Sequence, residues 1–362
     1  MKGLSHSYIA DICKKHSLLH IGVTDITPPS SRRRSYYSNW INAGLHGEMK
    51  YLAAHAPLKY SPQDLLTGAK SLIQVLLPYY RPRRYPQLPQ GQGRITRYAW
   101  GRDYHKVLKK RLSAVCGDLV QQFPGEKFRP FVDSGPLDER YYAQRARLGQ
   151  VGRNGLLIHP EYGSWVFLGE IVSTLSIDSV SEGPQGPKKS EFPDTRTFER
   201  GGLCPPGCEN CKRACPTGAL GSEGVFDARL CISYLTIEYK GSIEESLRPL
   251  IGDWLFGCDM CQDVCPLNRN VPDTGEGDFL RDIAGESIDL SRILRVRTHE
   301  DMVEMLAGSP LMRLGVSQLL RNASIVAANT GAGFLIPELK KLTLYDDPIV
   351  REHASWAIEE LS

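Results

Sequence analysis

Nowhere in this chain do apolar residues run for the roughly 20 positions that a membrane-spanning helix needs. No export signal is visible in the sequence either. From Met1 to Val23, Lys, His and Asp interrupt the apolar positions, and Arg32-Arg33-Arg34 leads into the polar Tyr36-Tyr37-Ser38-Asn39-Trp40 instead of an apolar stretch. These absences argue against a helical membrane protein or an exported one and make a cytoplasmic protein the expectation. Neither sign of charge is in large excess: 44 Lys and Arg stand against 41 Asp and Glu, a formal +3. An anionic partner must therefore meet a local patch, and Arg32-Arg33-Arg34 and Arg81-Pro82-Arg83-Arg84 are the candidate runs. At 41% hydrophobic and 23% charged residues, the 362 positions suit a globular protein of two or three domains.

Cysteine, by contrast, is plentiful and unevenly placed, with eight of the ten lying between Cys204 and Cys265. A reducing cytosol directs such crowding toward metal binding or catalysis, away from structural disulfides. The first run is Cys204-Pro-Pro-Gly-Cys208-Glu-Asn-Cys211-Lys-Arg-Ala-Cys215-Pro216, and the second is Cys258-Asp-Met-Cys261-Gln-Asp-Val-Cys265-Pro266, with Cys231 upstream. Bacterial ferredoxins use Cys-x2-Cys-x2-Cys-x3-Cys-Pro, in which the fourth cysteine reaches across to the other cluster. The spacing thus assigns Cys204, Cys208, Cys211 and Cys265 to one 4Fe-4S cluster, and Cys215, Cys231, Cys258 and Cys261 to a second. Zinc ribbons also use Cys-x2-Cys pairs, but two Cys-x2-Cys-x3-Cys-Pro runs in one block favour iron–sulfur cubes. Two departures stand out: Pro205-Pro206-Gly207 lengthens the first gap by one residue, and Cys231 lies far from Cys258. Cys13 and Cys116, in helical surroundings, read as buried free thiols.

Around this block the chain divides by pattern. The run Ser71-Leu72-Ile73-Gln74-Val75-Leu76-Leu77, Phe131-Val132 and Trp165 to Val172 read as strands, with helical periodicity from Tyr104 to Phe123 between them. The expected class is an α/β (α+β) N-terminal domain, a ferredoxin-like two-cluster domain and a helical C-terminal domain, with boundaries at 1–195, 196–275 and 276–362. Residues 178–202, rich in Ser, Gly, Pro, Lys and Glu, read as a linker. In the tail, Asp347 is expected to cap a final helix with Pro348 in its first turn. The pattern Asp-Asp-Pro-x-Val-Arg-x-x-Ala-x-x-Ala-Ile is that of a HEAT-like repeat.

Several long segments make the chain resemble the epoxyqueuosine reductase family: Tyr98-Ala-Trp-Gly-Arg-Asp-Tyr-His105, Phe131-Val-Asp-Ser-Gly135, Glu139-Arg140 through Gly155, Pro160-Glu-Tyr-Gly163, Cys231-Ile-Ser-Tyr-Leu-Thr236 and Ile251 through Cys261. The resemblance implies a cobalamin-dependent oxidoreductase that removes the epoxide oxygen of epoxyqueuosine at the tRNA wobble position. An external donor would supply electrons, passed one at a time through the clusters. It implies Asp133 as the proton donor, and cobalamin contacts at Lys59, Thr96, Asp133, Asn154, Leu168, Ser233, Asp259 and Met260. Asp-x-His-x-x-Gly, the motif that supplies a lower histidine ligand in other corrinoid proteins, is absent, because Asp103-Tyr104-His105 continues differently. Cobalamin is therefore expected without a protein histidine on cobalt. The tRNA is expected to be held through its phosphates by Lys240, the basic runs, Arg321 and Arg351. A monomer without a membrane partner is the expectation.

Two other readings compete. A corrinoid reductive dehalogenase shares the corrin and cluster parts, but would carry a twin-arginine export signal and need no helical tail. A ferredoxin-type carrier fused to a scaffold would leave Asp133, after its strand, without purpose.

Overall fold

The computed structural model describes residues 6–133, 135–176, 203–221 and 225–362. The linker expected at 178–202 lies outside them. The chain divides into two compact units, one of residues 1–80, 104–209 and 264–272, the other of 81–103, 210–263 and 273–362. These are not the three contiguous segments expected from sequence, and the cysteine block is shared between the two. No helix among the described residues is long and apolar enough to cross a membrane.

The first unit is built on an antiparallel sheet in the order His20–Asp25, Ser71–Pro78, Val166–Ser173, Phe128–Phe131. Ser71–Pro78 is buried along nearly its whole length because helices cover both faces of the sheet. The helix Tyr104–Gln122 takes one face, against which Gly169 has no room for a Cβ beside Leu112. On the other face, Gly22 leaves space for the Ala146 end of the helix Glu139–Arg145. Side chains alternate between faces along a strand, so the register Gly22, Gln74, Glu170, Phe131 forms one cross-strand row beneath that second helix. Leu72, Val172, Leu137, Tyr141 and Tyr142 form an apolar cluster on the same face. Cys13 and Cys116 are buried free thiols, as expected.

The second unit holds a small sheet in which Gln92–Ile95 lies between Trp254–Phe256, parallel to it, and Ser287–Asp289, antiparallel. That pairing removes 81–103 from the N-terminal unit, and no periodicity in so short a strand shows which strand it joins. The helix Val316–Asn329, buried over most of its length, packs on this sheet. It also holds Tyr234–Glu238, a π-helical turn just after Cys231. Such a turn leaves carbonyls without their usual i+4 donors. Arg321 donates to the carbonyls of Leu235 at 2.7 Å and Tyr239 at 2.9 Å, Asn322 Nδ2 to Thr236 at 2.9 Å and Leu255 at 3.1 Å, and Gln318 Nε2 to Ile237 at 3.2 Å. Arg321 is fully buried. The expectation that it grips RNA is corrected: its guanidinium serves carbonyls of its own chain. The tail ends as expected, with Asp347 accepting from Ile349 N and Pro348 opening the helix Pro348–Leu361.

Asn322→Ala strips two buried carbonyls of their donors at once. It should cost about 2–4 kcal/mol of stability, read as a lowered urea midpoint at unchanged slope.

Candidate active site

Asp133 follows the sheet-edge strand Phe128–Phe131 and adopts a left-handed backbone (φ +46°). Asp is among the few side chains that tolerate this conformation. Its side chain keeps 49% exposure, so the carboxyl faces outward while being held from behind. Tyr104 Oη donates to Asp133 Oδ2 at 3.0 Å, and His105 Nε2 lies 2.9 Å from the same oxygen. Tyr104 is itself fixed by stacking on Phe167, with ring centroids 4.1 Å apart and planes 8° apart. The sequence raises His105 only as a cobalt ligand and points to neither partner of Asp133. They stand 28 and 29 residues from Asp133, and no local spacing announces such a pair.

Beneath the helix Glu139–Arg145, acidic and basic groups are concentrated. Asp138 caps the helix and forms an ion pair with Arg33 at 2.7 Å. Its carboxyl is held down to about 2; burial opposes this, and Arg33, Lys59 and Arg140 outweigh it. Arg33 is thus committed inside its unit, which takes it out of the candidate anion patch Arg32-Arg33-Arg34 and leaves Arg32 and Arg34 exposed. Lys59 sits with Nζ 4.6 Å from the centre of the Tyr37 ring, and burial lowers its affinity for a proton. Gln74 Nε2 donates to Glu170 Oε2 at 2.8 Å, and burial pushes Glu170 up to about 7. Asn154 Oδ1 accepts from Leu156 N, whereas its Nδ2 is buried with no hydrogen-bond partner. Leu168 is half-buried and packs against Leu76, Ala143 and Leu148.

In the second unit, Asp259 has no exposed surface. Its carboxylate accepts from Thr96 Oγ1, from Arg97 N at 2.9 Å, and from the guanidiniums of Arg83 at 2.7 Å and Arg97 at 3.1 Å. Burial pushes its carboxyl up, and the two arginines pull it back. Arg81 pairs with Asp282 at 2.7 Å, so the second basic run is also largely spent on internal acids. Arg351 bonds the carbonyls of Tyr345 and Asp346, while Lys240 is exposed.

Several of the cysteines influence one another electrostatically, and Cys211, assigned by spacing to the first cluster, acts on Cys261 of the second. Burial raises the thiols of Cys231, Cys258 and Cys261, and the charges that raise them further include Cys215 at Cys231, Cys231 at Cys258, and Cys231 and Cys215 at Cys261. In the first unit Cys265 feels Cys204 and Cys208 in the same way. Hydrogen bonds run to the sulfurs from Ser233 N, Tyr234 N and the Ser233 hydroxyl at Cys231, from Met260 N at Cys258, and from Leu267 N and Asn268 N at Cys265. This is the environment thiolate-ligated clusters use. Arg153 Nη1 donates to the Cys208 carbonyl at 2.9 Å, joining the Asn154 loop to the first cysteine run.

Residues 59–134 match the family model described as epoxyqueuosine reductase QueG, DUF1730, and residues 204–268 match the 4Fe-4S double cluster binding domain. An epoxyqueuosine reductase of Pseudomonas aeruginosa is 35% identical over 355 residues, covering 97% of this chain and 92% of its own length. The chain belongs to the epoxyqueuosine reductase family. A crystal structure of an epoxyqueuosine reductase with an epoxyqueuosine-modified tRNA-Tyr stem loop superposes with a TM-score of 0.83 at 27% identity, covering 98% of this chain and 89% of that one. The Bacillus subtilis epoxyqueuosine reductase, with its catalytic aspartate loop swung out of the active site, gives a TM-score of 0.81 at 27% identity, covering 98% and 90%. For an epoxyqueuosine reductase, the double-cluster match favours iron–sulfur cubes over zinc at the eight cysteines.

Tyr104→Phe removes one of the two bonds on Asp133 Oδ2. Hydrogen exchange at the Val132 and Asp133 amides should accelerate about fivefold, the equivalent of one bond of about 1 kcal/mol, with amides of the strand Val166–Ser173 unchanged.

Proposed function

We propose that this chain reduces epoxyqueuosine to queuosine at the wobble position of tRNA, with Asp133 as the proton donor. Family membership over nearly the whole chain supports the reaction. The observation that carries the role of Asp133 is its outward carboxyl, held from behind by Tyr104 and His105 on a backbone few residues adopt. Reduction takes the epoxide oxygen away as water, so two protons and two electrons enter while a carbon–carbon double bond forms. Asp133 delivers a proton to the departing oxygen, and Tyr104 and His105 keep the carboxyl aimed during that transfer.

Two 4Fe-4S clusters on the eight cysteines supply a one-electron path from an external donor. We read cobalamin as the second cofactor, a low-valent metal able to reduce the carbon–oxygen bond. The buried, partnerless Asn154 Nδ2 is the polar atom that best fits a ligand of many carbonyls and amides. Lys59, Thr96, Asp133, Asn154, Leu168, Ser233, Asp259 and Met260 are the proposed contacts. Of these, Thr96 and Asp259 already spend their side chains on each other. That bond also positions the Cys258–Cys261 segment. Lys240 is proposed to meet tRNA phosphate, and the HEAT-like tail to extend that surface. The protein is read as a cytoplasmic monomer.

Anaerobically reconstituted protein, given cobalamin and a reductant, should convert epoxyqueuosine in tRNA to queuosine, scored by nucleoside analysis. Metal analysis should return about eight iron per chain; absence of conversion, or zinc in place of iron, defeats the reading. Asp133→Asn should keep its iron and lose turnover by about 100-fold or more. Lys240→Ala should weaken tRNA binding for all sequences alike and make its salt dependence shallower by about one unit of slope.

A further inference from the structure

A surface helix ordinarily sinks an apolar stripe into the core, yet the helix Ser31–Asn42 buries none of its residues. Polar and aromatic contacts hold it instead. Arg33 pairs with Asp138 at 2.7 Å, Tyr37 Oη donates to the Leu52 carbonyl at 2.8 Å, and Lys59 Nζ lies 4.6 Å from the centre of the Tyr37 ring. The Lys59 carbonyl in turn accepts from Asp138 N at 3.2 Å. These contacts tie the helix to the start of Glu139–Arg145, the element that follows Asp133 in the chain. We infer that a second stripe of this helix, Arg32, Tyr36 and Trp40, is a contact surface for the single-stranded RNA of an anticodon loop. Arg32 takes a phosphate, and Tyr36 and Trp40 stack on bases. The inference rests on the reading of this chain as an enzyme acting on tRNA.

Residues four apart share a helical face. Arg33 and Tyr37 therefore make the anchoring stripe, and Arg32, Tyr36 and Trp40 run beside it over about 12 Å of helix. Trp40 stacks on Tyr37, with ring centroids 6.1 Å apart and planes at 27°, and meets His46 at 6.0 Å. It is braced by these rings yet only half-buried, while Tyr36 and Arg32 are exposed. Charge in the surrounding segment is one-sided. Between Ser30 and Tyr60, Arg32, Arg33, Arg34, Lys50 and Lys59 face Glu48 alone, although the whole chain is nearly balanced. Cations beside open aromatic faces suit single-stranded nucleic acid, whose phosphates need neutralising and whose bases need a surface to stack on. A wobble base drawn out of the anticodon stack leaves its neighbours in that condition.

Helix stability explains neither the arginines nor the open rings. No acid occupies the first turn, where the helix dipole favours acids over cations. A merely solvated basic run would attract a polyanion through Arg32 and Arg34 alike, since both are exposed. The helical turn separates the two. Arg34 lies about 200° around the axis from Arg32, on the far side of the anchoring stripe and away from both rings. The pair thus distinguishes a built surface from diffuse attraction.

The test measures binding of an epoxyqueuosine-bearing anticodon stem loop, and of a fully paired RNA stem of equal length, to the full reconstituted enzyme across a salt series. Arg32→Gln should weaken the stem loop about fivefold or more at low salt and make its log–log salt slope shallower by about 0.7, one single-strand phosphate. Arg34→Gln should stay within about twofold of wild type. Tyr36→Ala should lose about fivefold or more on the stem loop and nothing on the paired stem. Tyr36→Phe, which keeps the ring, should recover the stem-loop affinity. Equal losses in Arg32→Gln and Arg34→Gln, a Tyr36→Ala loss shared by the paired stem, or no loss in any variant overturns the inference. So does wild-type RNA affinity in Arg32→Gln combined with slower reduction by a protein electron donor, which would make the stripe a docking face for an acidic protein. Queuosine formation separates the two readings. If wild type forms none in tRNA, the proposed reaction has failed; if it forms queuosine while Arg32→Gln and Tyr36→Ala bind as wild type, only this inference has failed.

Discussion

A carboxylate with no exposed surface, one residue from Cys258 and two from Cys261, has to be neutralised, and the second unit is organised around doing so. Asp259 draws in Arg83, Arg97 and Thr96, all from the segment 81–103 that lies more than 150 residues upstream. Removing one partner from such a site costs several kcal/mol, because the remaining charge stays buried. The ion pairs therefore fix where 81–103 belongs, and the strand Gln92–Ile95 follows into the small sheet with Trp254–Phe256. Trp100 and Trp254 close over the same guanidiniums, with Arg83 5.0 Å from the Trp254 ring centre. The Cys258–Cys261 segment is thereby seated on a charge lattice instead of on a loose loop, as electron transfer between fixed centres requires.

The first unit uses burial in the opposite sense. There Glu170 and Glu139 are left with oxygens that no cation or amide satisfies, on the sheet face where Leu72, Val172 and Tyr142 make the surroundings apolar. At this helix start Asp138 is paired with Arg33, which holds its carboxyl low, whereas burial raises that of Glu139 next to it. The same helix and strands carry the apolar packing that holds the pattern in place.

What could be read in the sequence, and what could not, divides along the same physical line. The strand at Ser71–Pro78, the helix Tyr104–Gln122 and the Asp347-Pro348 cap are local patterns, and each lies where periodicity or capping chemistry puts it. Asp133 was visible through family resemblance, but its holders were not, since Tyr104 and His105 reach it only through the fold. The arginines misled for a related reason. A run of like charges looks solvated until its partners are known, and Arg33, Arg83 and Arg321 each found acids or carbonyls far along the chain. The shared cysteine block escaped notice because unit membership depends on pairing partners, which composition does not encode.

The π turn at Tyr234–Glu238 has a consequence for descent. In its geometry it is a helical turn that accommodates one residue more than an α-helical turn does. Losing that residue would restore ordinary helical geometry and look harmless in an aligned sequence. It would also rotate everything beyond Glu238 by about 100° relative to Cys231, carrying the Tyr239 and Gly241 carbonyls away from Arg321. The buried guanidinium would keep Leu235 and Asn322 but lose two of its carbonyl partners, so the extra residue and the arginine depend on each other.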